Sequence, residues 1–290
     1  MKVLITGASG QVGSALRASL PVQFEPRLLA RQQLDIADAD AVRTEVAGFQ
    51  PALIINAAAY TAVDKAESEP ELAGAINARG PRHLAQAAQA IPGCRLLHIS
   101  TDYVFDGAAS EPYKPGDATN PLSVYGRTKL EGERAVLEVL GGRAVVLRTA
   151  WVYAARGKNF LLTMLRLMRE RGLVRVVADQ LGAPTVADSI AGALWAIAQR
   201  PNIQGILHWT DAGKASWCDF ASAIAEDARA AGLLTTAVQV VPITTADYPT
   251  AAHRPANSVL DCSEAIAQLG LGPKPWRVNL RTTLAAMTRA

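Results

Sequence analysis

The chain is expected to fold as an α/β protein: a doubly wound parallel sheet with a smaller, interleaved C-terminal lobe. Three observations carry that expectation. Short apolar runs at 3–5, 27–29, 52–55, 96–99 and 144–147 alternate with helical stretches, the rhythm of repeated βα units. A glycine-rich turn, Gly7, Gly10 and Gly13, follows the first run directly. The third run ends in Asn56-Ala57-Ala58-Ala59, small residues at the strand end where open α/β sheets leave room for a ligand.

Composition bounds the rest. The 290 residues are half hydrophobic with 6% aromatic, which suits one large α/β domain, or one domain with a smaller lobe. A formal net charge of +3, spread without a basic run, gives no footprint for nucleic acid or a membrane surface. No apolar stretch is long enough to span a bilayer, and the first apolar run is too short for a signal segment, so a cytoplasmic location is expected. Cys94, Cys218 and Cys262 lie far apart without metal-site spacing and read as reduced thiols.

Taken in order, residues 3–5 form a buried parallel strand, and the turn leads into a helix reaching Leu20. The spacing is G-x-x-G-x-x-G. Glycines let a backbone approach a pyrophosphate, and the helix start supplies amide donors, so this junction reads as a dinucleotide cradle. The second strand runs into Ala30-Arg31. An acidic residue there would hold a ribose 2′-hydroxyl, whereas Arg31 can accept a 2′-phosphate. NADPH is therefore favoured, NADH remains possible, and a solvated arginine is the bland alternative. A helix is expected over 37–48, a polar segment passing over the cleft at 61–71, and a helix over 77–90 ended by Pro92-Gly93. The fourth strand delivers Ser100-Thr101-Asp102-Tyr103, and His98 inside it reads as a packed histidine.

Tyr125 and Lys129 stand four residues apart, one above the other on a helix. An ammonium beside a phenol favours phenolate and is expected to pull the tyrosine from about 10 toward neutrality, as suits proton transfer to an alkoxide. Beyond Tyr153 the pattern loosens. Helices are expected over 159–171, up to Ala198 and from Trp217, strands over 174–177, 206–209 and 238–241, and a loop over 179–185. The division is 1–153, mainly dinucleotide-binding, and 154–290, mainly substrate lobe interleaved with the last sheet elements.

Together these pieces resemble the Rossmann-like extended short-chain dehydrogenase/reductases. Residues 56–67 and 100–107, Arg148-Thr149-Ala150-Trp151-Val152-Tyr153, Gly182-Ala183-Pro184-Thr185 and Arg254-Pro255-Ala256-Asn257-Ser258 narrow the resemblance to the dTDP-4-dehydrorhamnose reductases, along essentially the whole chain. The resemblance implies NADPH-dependent reduction of a nucleotide-sugar ketone. It implies Thr101 as the hydrogen-bond donor to the reacting oxygen, Tyr125 as proton donor, and Lys129 as the residue that holds the nicotinamide ribose and tunes Tyr125. Gly7, Gly10, Gln11 and Val12 match the pyrophosphate turn, Asp35 and Ile36 an adenine contact, and Ala59, Tyr60 and Thr61 the nicotinamide side. Val63, Thr101, Asp102, Tyr103, Trp151 and Arg254 match the substrate pocket, although Tyr103 and Trp151 also suit a core and Arg254 a surface ion pair. Some members dimerise around magnesium held by acidic side chains. The matching position here is Ala15, with Asp188 as a lone second candidate, so no metal site is assigned and a monomer or weak homodimer is expected. Other nucleotide-sugar enzymes of the superfamily, the 4-epimerases and 4,6-dehydratases, are the rival readings. So is a non-catalytic partner like the regulatory subunit of methionine adenosyltransferase. The dehydratases carry Thr-Asp-Glu where this chain has Thr101-Asp102-Tyr103.

Overall fold

The structure is a computed structural model describing residues 1–288. Its main sheet is built from β1 (Lys2–Thr6), β2 (Glu25–Leu29), β3 (Leu53–Asn56), β4 (Arg95–Thr101), β5 (Ala144–Thr149) and a later strand, Gly205–His208. The order is Gly205–His208, β5, β4, β3, β1, β2, with every pairing parallel. The expected doubly wound sheet is borne out. Its sixth strand comes from the second half of the chain, which the five leading βα units did not contain.

Alternate strand residues enter opposite cores, as the two-residue period demands. Val3, Ile5, Ile55, Leu97 and Val145 face one layer, made by α1 (Gln11–Ala18) and a later helix, Ala187–Ala198. Leu4, Ile54, Leu96 and Ala144 face the other, made by α2 (Ala39–Phe49), the helical stretch from Pro70 to Gln89, and the helix Val124–Leu140. Strands buried on both faces need continuous apolar sequence, which is why these runs were legible.

Between α2 and β4 lie α3 (Val63–Ala66), α4 (Pro70–Gly74) and α5 (Gly80–Gln89). A π-helical turn, Ala75–Arg79, joins α4 to α5, so the helix expected from Asn77 starts seven residues earlier, at Pro70. The extra backbone residue of that turn lets Asn77 face inward, where it is 1% exposed.

The next helix, α6 (Val124–Leu140), starts at Ser123, whose hydroxyl accepts from Gly126 N at 3.1 Å. Two glycines let α6 sit close. A Cβ at Gly126 would lie 2.2 Å from Tyr103 O, and one at Gly132 2.1 Å from Asn77 O. Glu133 on α6 and Arg148 on β5 form a fully buried pair, with Nη2 to Oε2 at 2.7 Å and Nε to Oε1 at 3.0 Å.

The smaller lobe holds β6 (Val152–Tyr153), α7 (Phe160–Glu170), β7 (Leu173–Val177), β8 (Leu181–Gly182) and β9 (Thr185–Val186), followed by α8 (Ala187–Ala198) and β10 (Gly205–His208), which belong to the main sheet. It is completed by β11 (Ala215–Ser216), α9 (Trp217–Ala230), β12 (Gln239–Ile243) and α11 (Trp276–Met287), whereas α10 (Ser263–Leu269) packs Ala265 and Leu269 into the main-sheet core beside α8 and β10. Residues 179–185, expected as a loop, contain β8 and the start of β9. The lobe's own core gathers Tyr153, Leu161, Leu165, Val174, Phe220, Ile224 and Leu280. Ala15, the position compared with a metal ligand, is 7% exposed and packs under α8, and no group of three potential ligands occurs among the described residues. No described helix is long and apolar enough to cross a membrane.

Removing one partner of the Glu133–Arg148 pair leaves a buried charge without compensation. Glu133→Gln is expected to destabilise the fold by about 3–5 kcal/mol, read from urea unfolding, while replacing both partners with apolar residues of similar volume costs much less. Equal losses in the two variants would contradict this account.

Candidate active site

A cleft opens along the C-terminal ends of β1 and β3. Gly7, Gly10, Arg31, Asp35, Ile36 and Ala57 to Thr61 are among its lining residues. Gly7 has φ +68, and a Cβ there would lie 2.5 Å from the Ala57 backbone, so only glycine fits the turn. Gly13 sits so close beneath it that a Cβ would come 2.2 Å from Gly7 O. Gly10 is the N-cap of α1 and offers no side-chain cap, and the first turn of α1 has no acidic residue. Its opening amides are thus available to an anion from outside the chain. This cradle, with small residues facing it from β3, fits the diphosphate of a nicotinamide dinucleotide.

The remaining residues expected at the cofactor divide by placement. Arg31 is exposed on the cleft rim, its guanidinium 4.0 Å from Asp35. Ile36 is buried against Gly80 and lines the cleft beside Asp35. Ala59, Tyr60 and Thr61 form the opposite wall. Asn77 fixes that wall: it accepts from Tyr60 N at 2.8 Å, donates to Tyr60 O at 3.0 Å and donates to Thr128 on α6 at 3.3 Å. The side chain of Gln11 turns away to accept from Asn159 of the smaller lobe at 2.8 Å, and Val12 packs against the core, so these two face the turn through their backbone only.

At the end of β4, Thr101 is buried. Its hydroxyl donates to Asp102 Oδ1 at 2.9 Å and accepts from Tyr103 N at 3.2 Å. It also lies beside the Tyr125 phenol. The Tyr103 and Tyr125 rings meet edge to face, 5.8 Å between centroids. The structure therefore brings Thr101, Tyr125, Asp102 and Tyr103 together.

The electrostatics correct one expectation. Lys129 does not pull Tyr125 toward neutrality. Burial pushes the phenol up to about 12 against the opposing contact with the Thr101 hydroxyl, with the Asp102 charge adding to the rise. Lys129 is itself buried. Its ammonium donates to Ile99 O at 2.6 Å, and burial draws it down to about 8 while Glu133 resists. Asp102 is 2% exposed, its Oδ2 has no hydrogen-bond partner, and burial lifts the carboxyl to about 6 against the hydrogen bond from Thr101 to Oδ1.

Two further residues contribute that sequence reasoning gave no place in the site, His98 and Asp64. His98, read as a packed histidine, is buried but bonded, with Nδ1 3.0 Å from Asn56 and Nε2 3.4 Å from Lys129. Asp64, just inside α3, takes both guanidinium nitrogens of Arg254 at 3.0 and 2.7 Å. Arg254 also donates to Thr250, faces Tyr103, and holds the Asp64 carboxyl below its ordinary value. Val63 starts α3 beside this pair, half-buried. Trp151 is wedged between Trp217, stacked at 3.5 Å and 3°, and Gly182, where a Cβ would lie 2.4 Å from its ring. It holds an uncommon φ of +46 for a non-glycine.

A doubly wound sheet with a glycine turn at its first βα junction, and a Tyr-x-x-x-Lys helix beside a strand ending in Ser-Thr, defines the extended short-chain dehydrogenase/reductases. These are oxidoreductases that use a nicotinamide dinucleotide. A family model described as the RmlD substrate binding domain matches residues 1–289. The chain is 44% identical over 292 residues to the dTDP-4-dehydrorhamnose reductase of Aggregatibacter actinomycetemcomitans, covering 98% of each. Among solved structures, a dTDP-4-dehydrorhamnose reductase from Clostridium acetobutylicum superposes with a TM-score of 0.93 at 38% identity, over 99% of this chain and 100% of that one. The Bacillus anthracis enzyme, solved in complex with NADP, gives 0.91 at 35% identity, over 98% and 99%. The chain belongs to the dTDP-4-dehydrorhamnose reductase family.

The raised carboxyl of Asp102 has a stability consequence. The folded state holds its proton more tightly than the unfolded chain, so its contribution is present below about 3.8 and is lost as pH rises through about 6. Asp102→Asn removes the buried charge. It is expected to stabilise the protein at about pH 8, by on the order of 2 kcal/mol, and far less at about pH 4. Thermal melts of both forms across this range check it, and a gain that does not vary with pH would refute it.

Proposed function

We propose that the chain reduces the C4 keto group of dTDP-4-dehydro-L-rhamnose with NADPH, giving dTDP-L-rhamnose for polysaccharide precursors. The observation that carries this reading is the meeting of Thr101 and the Tyr125 phenol at the end of β4, on the same C-terminal edge of the parallel sheet as the glycine cradle after β1. Gly7, Gly10 and the first amides of α1 hold the diphosphate, Arg31 the 2′-phosphate, Asp35 and Ile36 the adenine side, and Ala59 to Thr61 the nicotinamide side. Bound there, the dinucleotide supplies a hydride to C4.

Tyr125 gives its proton to the C4 oxygen. Burial keeps the phenol protonated at neutral pH, which is the form a reduction requires. The phenolate left behind needs a positive charge, and Lys129, one helical turn along, can provide it. Thr101 offers the same oxygen a hydrogen bond by turning its hydroxyl from Asp102, and so orients the carbonyl. Val63, Asp102, Tyr103, Trp151 and Arg254 form the sugar and nucleotide side of the pocket. The Tyr103 ring, packed edge-on against Tyr125, occupies the position where a dehydratase carries glutamate, which speaks against elimination chemistry. We assign action in the cytoplasm, as a monomer or weak homodimer. The buried Ala15 under α8 supports assembly without a shared metal.

The direct test is NADPH oxidation on adding dTDP-4-dehydro-L-rhamnose. No turnover, with cofactor still binding, would favour the non-catalytic partner reading. Cofactor retained through purification as NAD would favour an epimerase. Tyr125→Phe should lower kcat by roughly 10²–10⁴ with KM little changed. Thr101→Val should cost less, and near-full kcat in Tyr125→Phe across about pH 6–9 would displace Tyr125 as the acid. Arg31→Ala should narrow the NADPH-over-NADH ratio of kcat/KM by about 10- to 100-fold, the loss of one charge-assisted contact. An unchanged ratio would remove Arg31 from the 2′-phosphate site.

A further inference from the structure

A chain of buried polar groups runs from β1 to the Tyr125–Lys129 helix. Thr6 Oγ1 donates to Asn56 Oδ1 at 2.7 Å, and Ala58 N donates to the same oxygen at 3.1 Å. With two donors on Oδ1, the amide orientation of Asn56 is set, and its nitrogen faces His98 Nδ1 at 3.0 Å. An amide N–H there requires Nδ1 to accept. His98 is 0% exposed, and burial by itself draws it well below its ordinary pKa, so the ring is neutral. A neutral ring with a bare Nδ1 carries its proton on Nε2.

That proton has a definite consequence. Nε2 lies 3.4 Å from Lys129 Nζ, while Nζ reaches Ile99 O at 2.6 Å. Lysine charged at this spot sets N–H against N–H, whereas the uncharged amine accepts from Nε2 and still donates to Ile99. The opposing groups are few. Tyr125, a turn before Lys129, is neutral while its pKa is about 12, and Glu133, a turn after, is engaged by Arg148. From β4 only His98 and the Ile99 carbonyl reach the amine, and Asn56 from β3 acts through the imidazole.

We propose that His98, held as the Nε2–H tautomer by Asn56, is a positioning residue that keeps Lys129 docked on β4 and favours its uncharged form, and that cofactor binding draws Lys129 off this dock and charges it. Dinucleotide binding is then coupled to uptake of a proton by Lys129. The enzyme would acquire the cation that stabilises the Tyr125 phenolate only when a hydride donor is in place. This inference rests on the reductase reading of the site.

Calorimetric titration of the intact protein with NADPH, in buffers of different ionisation enthalpy, counts the protons taken up. With Lys129 starting at about 8, uptake is expected to be small near pH 7, about half a proton near pH 8 and most of a proton near pH 9. Asn56→Asp reverses the donor at Nδ1. It moves the ring proton there, leaves Nε2 to accept from charged Lys129, and should flatten this rise. The tautomer is read independently in the unmutated protein from the ¹⁵N shifts of its four histidines, before and without any variant. A protonated Nδ1 on His98 overturns the proposal, as does binding heat without pH-dependent uptake, or a rise undiminished in Asn56→Asp. Absence of any binding heat overturns the cofactor reading as well, which separates the two failures.

Discussion

The close seating of α6 decides where everything else in the site can be. Gly126 admits the Tyr103 carbonyl and Gly132 the Asn77 carbonyl, at separations no side chain would allow. The buried Glu133–Arg148 pair anchors the same helix to β5 at its middle. With α6 pressed onto β4 in this way, Tyr125 must face Thr101, and Lys129 must enter the space beside His98. Interiors transmit such constraints because they are packed without slack. A shift of α6 by the width of one methyl group would separate the phenol from the threonine hydroxyl.

Burial then sets the charge states. Tyr125, Lys129, His98 and Asp102 are all driven toward their neutral forms, each first of all by loss of water. Four ionisable groups in one cluster are tolerable only because they need not be ionised together. A reduction suits this arrangement, since it begins with a neutral phenol and a neutral carbonyl and creates charge only in passing. Groups of shifted pKa are what a proton-transfer site is built from.

The two lobes meet through a few specific contacts around the cleft. Asp64 and Arg254, 190 positions apart, form a two-pronged pair, and Gln11 at the start of α1 accepts from Asn159 at the start of α7. α8 and β10 return from the second half of the chain to complete the main sheet, so the lobes are interwoven in sequence as well as in space. Trp151, leaving β5 with its left-handed backbone, turns the chain toward the smaller lobe, its ring clamped by Trp217 and Gly182.

The sequence by itself determined the parallel sheet, the glycine turn and the Tyr125–Lys129 helix, because each is local. Twice-buried strands need unbroken apolar runs, Gly7 needs its positive φ, and a four-residue spacing shares one helix face. The motif resemblance also reached Thr101, Asp102 and Arg254. Only the tertiary structure decided what these groups are bonded to. The π turn that brings Asn77 inward, the sixth strand at Gly205–His208, the hold of Asp64 on Arg254 and the His98 contact to Lys129 join residues 31 to 190 positions apart or depend on one extra backbone residue. The direction of the Tyr125 shift was missed for the same physical reason. Spacing along a helix reports which side chains are neighbours, but the charge they carry depends on how much water the rest of the fold excludes.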